Sequence, residues 1–195
     1  MDNSYTPPID FYRAETPRGF PWLNVFLFLA TCLSTLAVGI VQTAQFNSGT
    51  RIPDESIGSV LSSPSAVLAG VPFALAVMGI LFAHEMGHYL MCRYYGIDAS
   101  LPYFIPIPGP FTLVGTMGAF IRIRGPFQHR SAWLQMGIAG PIAGFMVAVP
   151  VLIVGLGLSR FVPISLAETE GMYQMGEPLI FKLMAFVLGM TPPEG

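Results

Sequence analysis

Eighteen consecutive residues, Ala66 to Ala83, carry no polar side chain, and the run passes directly into His84-Glu85-Met86-Gly87-His88. With the residues that follow, the apolar stretch is long enough to cross a bilayer as a helix. That helix must then carry two imidazoles and a carboxylate near its far end. Residues four apart share one helical face, so His84 and His88 can hold one zinc ion. Glu85, beside the first of them, can take a proton from water activated at the metal. The pattern predicts water-dependent chemistry inside a membrane.

Composition agrees with a membrane protein: 53% of the residues are hydrophobic and 10% charged, against about a quarter charged in a soluble globular domain. A net charge of −2, a single lysine and scattered arginines exclude a nucleic-acid footprint, which needs clustered basic side chains. Cys32 and Cys92 fall in two different apolar runs and make no disulfide framework; both read as small apolar residues.

Along the chain, residues 1–20 read as a polar tail and residues 21–42 as a first transmembrane helix, too long for a signal-peptide core. Residues 43–65 read as a solvated loop. The second span covers 66–96 and ends at Gly96 in the manner of a glycine cap. Five prolines between Pro102 and Pro126 forbid a helix, yet Tyr103, Phe104, Ile105 and Ile107 are strongly apolar, so residues 97–131 are expected to be extended and membrane-hugging. Within them, alternation from Gly118 to Arg124 predicts a half-buried strand. A third span covers 132–158, where Gly140 and Gly144 make the spacing that admits a neighbouring helix backbone. A short apolar helix at about 178–190 is too brief to span. The expected fold is all-α and polytopic: three transmembrane helices plus a short C-terminal apolar helix, with a proline-rich extended or β segment between the second and third.

Arginines orient these spans. Arg13, Arg18, Arg93, Arg122, Arg124 and Arg130 fall on one side, against Arg51 and Arg160 on the other, which predicts a cytoplasmic N-terminus and a cytoplasmic 97–131 segment. The second helix then runs inward. His84 would lie roughly 18 to 27 Å from its start, beyond the midplane.

A lone histidine at the end of a span is more often structural than a ligand, but two at helical spacing around a glutamate are not lone. A charged glutamate in hydrocarbon costs about several kcal/mol and points to function by default. Gly87 either leaves room beside the metal or packs against another helix. Cys92 shares the face of His88 but lies about 12 Å along the axis from His84, too far to share its ion.

The chain resembles the site-2 protease family of intramembrane zinc metalloproteases, most like bacterial and chloroplast members without a PDZ insertion. The resemblance rests on the helix holding His84-Glu85-Met86-Gly87-His88, the Leu101 to Pro106 run, Gly115 to Arg124, and Ala139 to Gly144, in that order. It implies a partial metalloprotease domain over residues 21–195, one zinc ion on His84 and His88, Glu85 as general base, and single-pass transmembrane proteins as substrates. Gly115, Phe120 and Arg122 are the candidate substrate-binding residues, with strand addition along 112–124 or mere capping of the bundle as the two readings of that segment. Arg122 and Arg124 suit lipid phosphates equally well. Gly140, Pro141 and Gly144 are the candidate helix-packing residues. The implied location is a bacterial plasma membrane, or a thylakoid or plastid membrane as the alternative.

One feature departs from the family, whose third zinc ligand is an aspartate of a later helix in a Leu-Asp-Gly type motif absent from these 195 residues. A truncated chain is the expectation. Asp98, His129, Glu168, Glu170, Glu177 and Glu194 are the remaining acidic or imidazole candidates, and none has a telling spacing. Two other classes follow: a pseudoenzymatic protein that binds transmembrane partners without cutting them, and a prenyl-protein endopeptidase type of membrane zinc protease. The second leaves the proline-rich segment unexplained.

Overall fold

The computed structural model describes residues 19–48, 56–107, 109, 112–125, 130–159 and 178–189. The expected N-terminal tail lies almost wholly outside them. Five helices and two strands follow in the order α1 (Trp22–Ser48), α2 (Ile57–Leu61), α3 (Pro64–Tyr94), β1 (Tyr103–Pro106), β2 (Thr116–Phe120), α4 (Arg130–Leu158) and α5 (Leu179–Val187). Of these, α1, α3 and α4 are long and apolar enough to cross a membrane. The fold divides into two compact units, residues 1–144 and 145–195.

In the first unit α1 packs along α3. The helices meet backbone to backbone, since a Cβ on Gly39 would sit 2.7 Å from the Gly70 carbonyl oxygen and one on Gly70 would sit 2.7 Å from the Ile40 nitrogen. Small residues at a crossing are how apolar helices gain contact in lipid, where no hydrophobic force drives them together. This packing explains why α1 runs six residues past Gln42, the expected end of the first span. Its polar last turns are supported by α3, with the Thr43 hydroxyl donating to the Ala69 carbonyl at 3.3 Å.

The expected loop at 43–65 therefore shrinks, and it contains α2. The second span starts at Pro64, earlier than Ala66, because proline suits the first helical turn, where its missing N–H costs nothing. It stops where Gly96 predicts. Gly96 has φ +67, Ile97 N–H donates to Cys92 O at 2.8 Å and Gly96 N–H to Arg93 O at 3.1 Å, a Schellman ending. Cys92 and Ile97, which flank that ending, are both buried.

The proline-rich segment folds as an antiparallel hairpin of β1 and β2. Its strand is not the expected Gly118–Arg124. Pairing runs from Thr116 to Phe120 and lapses at Ile121–Arg122, resuming only as a bridge between Ala99 and Ile123. There the Ser100 hydroxyl, rather than a backbone carbonyl, accepts the Arg122 N–H at 2.9 Å, while the Ser100 N–H still donates to the Arg122 carbonyl at 2.9 Å. A register irregularity falls between Ile105 and Pro106, the one strand residue without an N–H. Thr116 repairs it, donating its hydroxyl to Ile105 O at 2.9 Å and accepting Gly118 N–H at 3.0 Å. Phe104, 2% exposed, pins β1 to α1 and α3 through Phe28 at 5.1 Å and Phe82 at 6.5 Å between ring centroids.

In the second unit the end of α4 continues from Phe145 to Leu158 and closes with Ser159 N–H on Leu156 O at 3.0 Å. The nine-residue α5 is shorter than the expected 178–190: it ends at Val187, and Gly189, two residues on, has φ +68.

Candidate metal centre

His84 and Glu85 share one turn of α3 and His88 lies on the next, with His84 about 30 Å from the first residue at the helical rise, slightly further than a start at Ala66 would place it. The two imidazoles converge, with His84 Nε2 3.1 Å from His88 Nε2 and the ring planes 73° apart. Two nitrogens on one tetrahedral zinc at about 2.0 to 2.1 Å would stand about 3.3 Å apart, so the pair fits a shared ion. The tautomer of His88 follows from its other nitrogen. Nδ1 lies 2.7 Å from the Met136 carbonyl oxygen, which can only accept, so Nδ1 carries the proton and Nε2 keeps its lone pair for a metal.

That carbonyl belongs to α4, and glycines bring it within reach. A Cβ on Gly140 would overlap the His88 ring, and one on Gly87 would overlap the Ala139 carbonyl oxygen. A Cβ on Gly144 would press the His84 Cβ at 3.2 Å. Gly87, Gly140 and Gly144 therefore lie where α3 and α4 approach most closely. Pro141, on the same helix, is exposed. About two turns beyond His88, at the C-cap of α3, the Tyr95 hydroxyl donates to Gln135 Oε1 at 2.6 Å and ties the same two helices again.

Glu85 is 5% exposed. Among the described residues no group hydrogen-bonds its carboxylate. Its carboxylate oxygens are not sealed off, so the charge sits at a largely buried position that a narrow opening reaches.

The model of peptidase family M50 matches residues 72–191, which is more than half of the chain. The chain belongs to peptidase family M50. Two chloroplast relatives from Arabidopsis thaliana carry the names probable zinc metalloprotease EGY1 and probable zinc metalloprotease EGY2. The first is 35% identical over 70% of this chain and 25% of its own length. The second is 35% identical over 48% of this chain and 16% of its own length. A relative of the first in Oryza sativa subsp. japonica is 29% identical over 70% of this chain and 24% of its own. The chain thus aligns with about a quarter or less of the curated relatives it matches. No solved structure matches it.

Within this M50 chain the other expected site residues separate. Gly115, a candidate substrate-binding residue, is buried against α1, where there is no room for a side chain: a Cβ would sit 2.6 Å from Ser34 O. Phe120 is half exposed and stacks on Tyr103 at 5.4 Å. Phe120 and Arg122 line an open groove of about 450 Å³ with Leu23, Leu27, Phe104 and Ile105. Among the described residues no third His, Cys, Asp or Glu joins the two histidines. Asp98 faces Arg124 at 3.7 Å instead. His129 and Glu168, Glu170, Glu177 and Glu194 lie outside the described residues. The Met136 carbonyl was illegible in the sequence, because a backbone acceptor has no residue signature.

Proposed function

We propose that this chain carries the two-histidine, one-glutamate part of an intramembrane zinc metalloprotease site that hydrolyses peptide bonds of single-pass membrane proteins. One observation carries the reading: two Nε2 atoms 3.1 Å apart on a membrane-long helix, with a buried carboxylate on the residue between them. Zinc in that position supplies Lewis-acid polarisation of a carbonyl and a more acidic water.

The residues divide the remaining work. His84 and His88 present lone pairs, and the Met136 carbonyl keeps the His88 ring turned toward its partner. Glu85 takes the proton of the attacking water as the water oxygen bonds to the scissile carbonyl carbon. It then delivers that proton to the amide nitrogen as the C–N bond breaks, leaving a carboxyl and an amine. Substrate must arrive unwound, because helical carbonyls are already hydrogen-bonded. β1 lies against α1, and the other edge of β2 is covered by no strand among the described residues, which supports strand addition there.

The missing third ligand among the described residues favours one competing reading, a partner-binding pseudoenzyme. Incubating the full natural chain with a single-pass substrate in liposomes separates the two. Cleavage that a chelator abolishes and zinc restores is expected, whereas binding without cleavage would leave the pseudoenzyme.

For location, we read a multi-pass protein with residues 97–131 on the cytoplasmic side or its plastid equivalent, on the six-to-two division of arginines. The chloroplast names of the relatives support the plastid alternative. A reporter fused after Arg124 should stand on the cytoplasmic side and one within 45–60 on the opposite side; reversed labelling would overturn the orientation.

A further inference from the structure

The β1–β2 hairpin is held by α1 at two separated points, and each uses a polar side chain of a transmembrane helix. Asn24 Nδ2 donates to Leu101 O at 2.8 Å and to Pro102 O at 3.0 Å, just before β1 begins. Ser34 Oγ donates to Gly115 O at 2.6 Å, just before β2 begins. Between these points Phe28 packs edge-on against Phe104. Beyond them, a Cβ on Gly109 near the turn would touch Val38 Cγ2 at 3.4 Å. Thr31 and Thr35, both 0% exposed, return their hydroxyls to α1's own carbonyls and leave a flat bed for the hairpin.

The spacings agree. Asn24 and Ser34 are ten residues apart, about 15 Å along a helix. Pro102 and Ile107, whose N–H meets Gly115 O at 3.2 Å, are five residues apart, about 16 Å along a strand. β1 therefore lies parallel to α1 over its whole length. A two-stranded hairpin is marginal alone, so its position comes from what it docks on. A slip by one residue would shift it by about 3.3 Å and reverse every side chain. One attachment leaves a pivot; two fix both height and direction.

We propose that Asn24 and Ser34 are positioning residues for proteolysis: gripping both ends of the hairpin, they hold the free edge of β2 at a fixed height relative to Glu85 and so select which substrate bond is cut. The proposal rests on the proteolytic reading and on strand addition at β2.

Asn24→Leu, Ser34→Ala and the double variant are made in the full natural chain, with Ser34→Thr to restore a hydroxyl. Product masses, kcat, KM and zinc content are measured. So is the rate at which Met117→Cys, at an exposed β2 position, reacts with a water-soluble maleimide after Cys32 and Cys92 are replaced by alanine. The double variant should keep its zinc, cut at two or more neighbouring bonds and lose about 10- to 100-fold in kcat, because a misplacement of about 1 Å costs that much. Its KM should stay within about threefold, the signature of lost transition-state alignment rather than lost binding. Maleimide labelling should change at least about fivefold, an opening of about 1 kcal/mol, and Ser34→Thr should behave as wild type. Cleavage of the same single bond at wild-type kcat by the double variant, or unchanged labelling, overturns the proposal. If the wild-type chain cuts nothing, the proteolytic reading fails by itself, and labelling still decides the clamp: a change supports it and constancy refutes it.

Discussion

Glu85→Gln is expected to lower turnover of a single-pass substrate by about a thousandfold, the scale of a lost general base, while bound zinc stays at its wild-type level. The amide has the shape of the carboxylate but cannot take the proton of water. Stability separates this role from a structural one. Glu85 is buried, and among the described residues nothing donates to it, so glutamine removes a desolvated charge without breaking a hydrogen bond. The variant should unfold no more readily than the wild type. Full turnover by Glu85→Gln would remove the glutamate from the chemistry, and a large loss of stability would make its role architectural.

The second large effect is expected at a residue with no functional atom. Gly140→Ala puts a methyl group where the His88 ring lies, with the α4 backbone behind it. The ring must swing away, which breaks the bond from Nδ1 to Met136 O and parts the two Nε2 atoms. Loss of an outer hydrogen bond alone costs about 10- to 100-fold in metal affinity, and displacement of the ligand costs more. Zinc affinity should fall at least that far, and turnover with it. Gly137→Ala on the same helix is the control: its Cβ meets open space, so zinc binding should be unchanged. Equal effects at both positions would mean that general helix propensity, and not the seat of His88, is being measured.

The long elements were legible because an apolar run without charge has few alternatives to a spanning helix, and the Gly96 ending was legible because glycine alone adopts its φ cheaply. The His84 and His88 pairing was legible for a similarly local reason, the four-residue repeat. What escaped depends on contacts far apart in sequence. α1 runs on to Ser48 because α3 supports it, and just past the strand the Arg122 N–H turns to the hydroxyl of Ser100, more than twenty residues earlier. The close approach of Gly115 to Ser34 and Thr35 of α1 was equally illegible, because the two segments are far apart in sequence. The partners of Asn24 are 77 and 78 residues away, beyond any local pattern.

Bound zinc in the full natural chain after equilibrium dialysis, compared among wild type, His84→Ala, His88→Ala and Cys92→Ala, tests the central claim most directly. Zinc should be held by the wild type and by Cys92→Ala, whose side chain is fully buried and away from the pair, and lost from either histidine variant. Zinc retained at the wild-type level by His88→Ala would contradict the account, because the metal would then sit somewhere other than on α3.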